Sequence, residues 1–106
     1  MAKYLLTASY TAEGLRGLQK DKASGRRQAV TAAIEGLGGK LEGFYNALGA
    51  DDAYVIADLP DNSTAAALGI AVSAAGLVRT RTTALLTVEE TDRALEKTVN
   101  YRAPGR

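Results

Sequence analysis

A chain of 106 residues with 46% hydrophobic side chains has apolar surface enough for one modest core and too little length for two domains. Thirteen Lys and Arg against twelve Asp and Glu leave a net charge of +1. That lacks the cationic excess needed to bind a phosphate backbone, so no nucleic-acid partner is expected. Cys and His are both absent, which removes disulfides, thiolate and Ser-His-Asp chemistry and the commonest ligands of zinc, copper and haem iron. No metal and no cofactor are expected, and carboxylates, Tyr, Lys, Arg, Ser and Thr are what remains for chemistry.

The segment from Met1 to Leu6 turns polar at Thr7 and lacks the long apolar stretch and cleavage site of a signal peptide. No segment approaches the ~20 apolar residues of a membrane span. The expectation is a cytoplasmic protein with no membrane partner.

Residues 3–10 are rich in aromatic and branched side chains and stop at Thr11, where helix-starting chemistry begins, so they read as the first strand. Thr11 caps a short helical piece carrying Glu13, Leu15 and Leu18. Ser24 caps a second piece holding Val30, Ala33, Ile34 and Leu37 at helical spacing, which predicts one broken crossover helix. Gly36, Gly38 and Gly39 end it, because glycine tolerates the left-handed conformation of a helix stop.

Lys40–Leu48 and Ala53–Leu59 flank a small polar turn, Gly49 to Asp52, and read as a hairpin. Pro60-Asp61-Asn62-Ser63 opens a second helix with Ala65, Leu68, Val72 and Ala75 on one face, closed by Gly76. Asn62-Ser63-Thr64 matches the glycosylation sequon, but it reads as a polar turn entering that helix. Val78–Leu86 is the fourth strand, and Thr87-Val88-Glu89-Glu90 is a capping box that starts a final helix. Residues 1–99 form a single domain and 100–106 a frayed tail.

Two strand-helix-strand units joined by a hairpin predict an α+β, ferredoxin-like βαββαβ sandwich with a C-terminal helix, both crossover helices lying on one face of a four-stranded antiparallel sheet. Tyr4-Leu5-Leu6 and Tyr54-Val55-Ile56-Ala57 put apolar groups on both faces of that sheet, and two helices cover only one. A second copy of the sheet would cover the other and give a dimeric α+β barrel. The alternative is the final helix folded across it; the sequence favours the copy. A homodimer or higher homo-oligomer is therefore expected.

Several side chains invite a chemical reading beside a plainer one. Gly36-Leu37-Gly38-Gly39 superficially looks like a nucleotide loop, but it follows a helix and opens a strand, the reverse of the phosphate-binding context, and reads as a helix stop. Ser24-Gly25-Arg26-Arg27 offers a hydroxyl and two guanidinium groups to an anion, or is simply a solvated charged surface. Asp51-Asp52 is a carboxylate pair suited to a cation or to acid-base work, with turn formation the plainer role. Asp58 sits in an otherwise apolar strand, where an unpaired carboxylate is costly, and Arg79 or Arg81, across the sheet or a subunit boundary, is the expected partner. Of five tyrosines, four fall on predicted strands. They line a small-molecule pocket, with Arg79 or Asp58 fixing a polar group, or they belong to core and interface.

Taken in order and spacing, several stretches resemble the GYD family of small bacterial proteins over residues 3–90. They are Lys3-Tyr4-Leu5 leading to Tyr10-Thr11-Ala12-Glu13-Gly14, Gly25-Arg26-Arg27, Gly36 to Leu41, Gly49 to Tyr54, Leu59 to Asn62, Ala65 to Leu68, and Gly76 to Thr80. Of the Gly-x-Tyr-Asp signature, Gly49 and Asp52 fit, while Asp51 stands at the tyrosine position. The resemblance implies a ferredoxin-like, dimeric α+β barrel arrangement and brings no substrate, cofactor or catalytic residue. It directs attention to Tyr10, Arg27, Gly49, Asp52, Tyr54 and Arg79.

With Asp58 added, the candidate ligand-binding residues are Tyr10, Arg27, Asp52, Tyr54, Asp58 and Arg79. The functional expectation is a homo-oligomeric protein that binds a small molecule or a protein partner. The alternative is a cofactor-independent isomerase or monooxygenase acting on a small aromatic or carbonyl compound. There, Tyr10 or Tyr54 would position substrate, Asp52 or Asp58 would take a proton, and Arg79 would stabilise the anion formed.

Overall fold

Alternation in two central strands organises the sheet. In the computed structural model, which describes all 106 residues, β1 (Ala2–Tyr10) lies antiparallel to β3 (Ala53–Leu59), with Leu6 opposite Val55 and Tyr4 opposite Ala57. Ala53, Val55, Ala57 and Leu59 point into the core and the residues between them are half exposed, as a period of two requires. β2 (Lys40–Asn46) adds on the outer side of β3 and β4 (Val78–Leu85) on the outer side of β1, giving the antiparallel order β2-β3-β1-β4.

The crossovers are α1 (Ala12–Gly36) and α2 (Asn62–Ala74), and α3 (Val88–Leu95) follows β4. This is the expected ferredoxin-like α+β arrangement. Ile34 of α1 and Ala65 and Leu68 of α2 meet Tyr4, Leu6, Val55, Ala57 and Leu59 in one core on one face of the sheet. Tyr4 is buried, and its phenol donates to Asn62 Oδ1 at 2.6 Å, so the ring is enclosed and its polar tip is satisfied at the start of α2.

α1 is broken, as two caps in its sequence predict. The break falls at Lys22, whose φ of 63° and ψ of 166° are non-helical, just before Ser24. That conformation strains a side-chain-bearing residue by about 1–3 kcal/mol. Both ends of the helix are anchored. Thr11 accepts from the Gly14 amide at 3.1 Å, while its own amide and hydroxyl donate to the Leu77 carbonyl at 3.0 and 3.2 Å. At the far end Gly38 takes φ +81°, its amide donating to the Glu35 carbonyl and that of Gly39 to Ile34, the two bonds of a Schellman stop.

α2 is capped by Asp61, which accepts from the Thr64 amide at 2.9 Å and hydroxyl at 2.6 Å. α3 opens on the predicted capping box: Glu90's amide donates to Thr87 Oγ1 and Thr87's amide to Glu90 Oε1. Only Leu86 and Thr87 separate β4 from α3, and no other element makes more than slight contact with α3. The final helix therefore does not fold across the second sheet face, because its short link carries it onward. The chain measures 56 × 33 × 23 Å with a radius of gyration of 16.8 Å, against ~13 Å for a compact chain of this length. Leu86, Val88, Leu95, Val99 and Tyr101 are exposed along the resulting arm.

Gly14 needs to be glycine, since a Cβ there would overlap the Leu77 carbonyl oxygen, whereas a Cβ at Gly17 would meet nothing within 4 Å. Gly14→Ala is expected to lower unfolding free energy by about 1–3 kcal/mol, as overpacking does. Gly17→Ala is expected to raise it by up to about 1 kcal/mol through helix propensity; urea unfolding of both variants reads the contrast. The hydroxyl and then the amide of Thr64 hold the Asp61 carboxyl below its ordinary 3.8. A depressed carboxyl stabilises the fold above its unfolded pKa and loses that contribution as pH falls through the lower folded value. Asp61→Asn, which keeps a capping oxygen, is thus expected to flatten the loss of stability below about pH 4, measured by acid titration of the thermal midpoint.

Candidate functional site

α1 rests mainly on β2 and α2 on β4, the two edge strands, so the helices stand apart over the centre of the sheet. Beneath them the sheet presents small side chains: Ala53 lies directly opposite Ala8, and Ala8 opposite Thr80. The gap is a cavity of about 120 Å³. Leu6, Val30, Phe44, Val55, Leu68 and Val72 supply much of its wall, and twelve of its fourteen lining residues are hydrophobic, so that wall is predominantly apolar. Arg26 and Thr80 also line it, and Tyr10 reaches it from the end of β1. Tyr10 and Arg26 continue into an outer groove with Gly14, Leu18, Asp21 and Leu77.

Arg26 belongs there because Arg26, Ala29, Val30 and Ala33 recur at the spacing of one helix face. It is half buried and forms no ion pair; the chain's ion pairs are Lys3 with Glu42, Lys3 with Asp58, and Arg81 with Asp51.

Of the six residues singled out from sequence, only Tyr10 lines the cavity. Arg27, next along α1, turns instead toward a shallow hollow with Ser24, Phe44 and Asn46. Asp52 accepts from the Tyr10 amide at 2.8 Å and donates its own amide to the Ala8 carbonyl at 2.9 Å. The signature carboxylate thus ties the β2–β3 turn to the end of β1.

Tyr54, Asp58 and Arg79 stand on the opposite, open face. Asp51, at the family's tyrosine position, gathers that face by accepting from Arg81 Nη2 at 2.8 Å, Ser9 Oγ at 3.2 Å and the Tyr54 hydroxyl at 3.4 Å. Within the chain Asp58 meets neither Arg79 nor Arg81. It pairs with Lys3 at 2.8 Å, because Lys3 is its direct cross-strand neighbour while β4 lies beyond β1. Lys3 also contacts Glu42, the residue of the β2 bulge, and hydrogen bonds from its ammonium to Asp58 and then Glu42 hold its pKa above the ordinary 10.5. Arg79 lines a polar hollow with Thr7, Ser9, Thr80 and Arg81. The six do not form one site.

No group of three or more acidic side chains is arranged to hold a metal ion, and no helix is long and apolar enough to cross a membrane. Fold and cavity define a ferredoxin-like α+β module with an apolar chamber under its helices. Residues 4–95 match the GYD domain, and the chain belongs to that family. No curated protein and no solved structure matches it significantly.

The role of Asp52 is testable against its neighbour's. Asp52→Ala leaves the Tyr10 amide without its acceptor and is expected to cost about 1.5–3 kcal/mol of stability, typical of a hydrogen bond to a charged group. Arg81→Ala breaks a pair whose arginine side chain is 74% exposed and is expected to cost no more than about 1 kcal/mol. Denaturant unfolding of the two variants measures the difference.

Proposed function

We propose that this GYD-domain chain is a homo-oligomeric binding protein whose small-molecule ligand occupies the cavity between α1, α2 and the sheet. The observation that carries this reading is the cavity itself. Protein interiors are close-packed with few voids larger than a water molecule. Here a hollow of about 120 Å³ leaves Val30, Phe44 and Val72 only half covered between the helices and the sheet. Apolar walls left bare in so small a core are readily understood as a site.

Self-association is supported by what this chain leaves bare. Leu5, Ile56 and Tyr54 sit on the open face with no helix over them, and the arm after β4 exposes Leu86, Val88, Leu95 and Val99. A second copy would cover both. The reading as a cofactor-independent isomerase or monooxygenase has less support, since Asp52 is engaged by backbone and Asp58 by Lys3 on the opposite face.

Native mass spectrometry of freshly purified protein is the test. The expected spectrum is an oligomer carrying a small added mass, with the addition lost and the oligomer kept in Ala33→Leu, which fills the cavity. A bare monomer at micromolar concentration would overturn the self-association, and an added mass that survives Ala33→Leu would overturn the cavity as its site.

A further inference from the structure

The cavity's size and its single charge together describe what fits. Its volume of about 120 Å³ is close to the roughly 150 Å³ that holds a benzene molecule in an engineered apolar cavity. That sets the bulk of the buried part at one six-membered ring or a chain of similar size. Over the sheet the Thr80 hydroxyl is already engaged with Ser73 Oγ at 3.2 Å and the Gly69 carbonyl at 3.4 Å, and the other donor-bearing side chains, Tyr10 and Arg26, stand where the cavity opens into the outer groove. A buried polar substituent would go unpaired there, so the enclosed body is apolar.

The mouth is different. Arg26 lines both the cavity and the outer groove, and no carboxylate of the chain pairs with it. Its planar fork of donors matches a carboxylate with two parallel hydrogen bonds. Beside an apolar wall that attraction is screened less than on an open surface. Asp21 lines the same outer groove, which limits the local positive charge and disfavours a group with two negative charges.

Resting on the ligand-binding reading above, we infer that the ligand is a small monocarboxylate with a one-ring or equally compact apolar body, the body in the cavity and the carboxylate on Arg26.

Titration of ¹⁵N-labelled protein with benzoate, phenyl phosphate and benzyl alcohol tests this. Benzoate is expected to give saturable shifts at Leu6, Val30, Val72 and Arg26 and to bind more tightly than either other probe. Arg26→Gln is expected to weaken benzoate at least ten-fold while leaving benzyl alcohol unchanged, and Arg27→Gln to alter neither. If benzoate binds wild-type protein no better than benzyl alcohol, or if Arg26→Gln leaves its affinity intact, the assignment of a carboxylate to Arg26 is overturned while the cavity remains a binding site. If phenyl phosphate binds more tightly than benzoate, the preference for a single negative charge is overturned. If no probe shifts the cavity residues, the inference and the binding reading beneath it fall together.

Discussion

Seven residues of β1 face seven of β3, and this pairing decides which side chains reach the helices and which do not. In the observed register Tyr4, Leu6 and Ala8 share the helix side with Ala53, Val55 and Ala57, while Lys3, Leu5 and Thr7 share the other with Tyr54, Ile56 and Asp58. A one-residue slip of β3 against β1 would turn that strand over, carrying Tyr54 and Asp58 to the helix side and Val55 and Ala57 to the open face, so the register is strongly specified. The same register brings Ala8 and Ala53 together with Thr80 in one small-residue row. The cavity floor is that row, and the chamber is a consequence of strand pairing as much as of helix placement.

The helices complete it by where they sit. Each rests mainly on an edge strand, and α1 is fixed at both ends, through Thr11 on Leu77 and through the Gly38 stop. Its break at Lys22 lies between those anchors. A straight α1 would have to satisfy both anchors along a single axis. The strained residue gives the two halves separate directions, and Asp21 and Arg26, on either side of it, both line the outer groove.

Much of the fold was legible because the signals are local. Thr11, Asp61, the Thr87–Glu90 box and Gly38 each act within one helical turn, and the alternation of β3 is visible in its own seven residues. That α1 breaks was readable from its two caps, but nothing about Lys22 announces it as the pivot. Asp58's partner was hidden because it depends on which strand lies next to β3 and in what register. The site was less legible than the fold. Arg26 did carry a signal, its helical spacing to Ala29, Val30 and Ala33, and the choice of Arg27 instead put the guanidinium about 100° round the helix. The cavity had none, since a volume that small side chains leave unfilled exists only once distant segments meet.

Both edges of the sheet are guarded. β2 is interrupted by the bulge at Glu42, held by Lys3, and β4 carries Arg79 and Arg81 on its outward strand. Bulges and charges of this kind discourage a foreign strand from adding laterally. Growth by strand addition renews its own template at each step and runs on as a fibre, and blunted edges deny this fold that route.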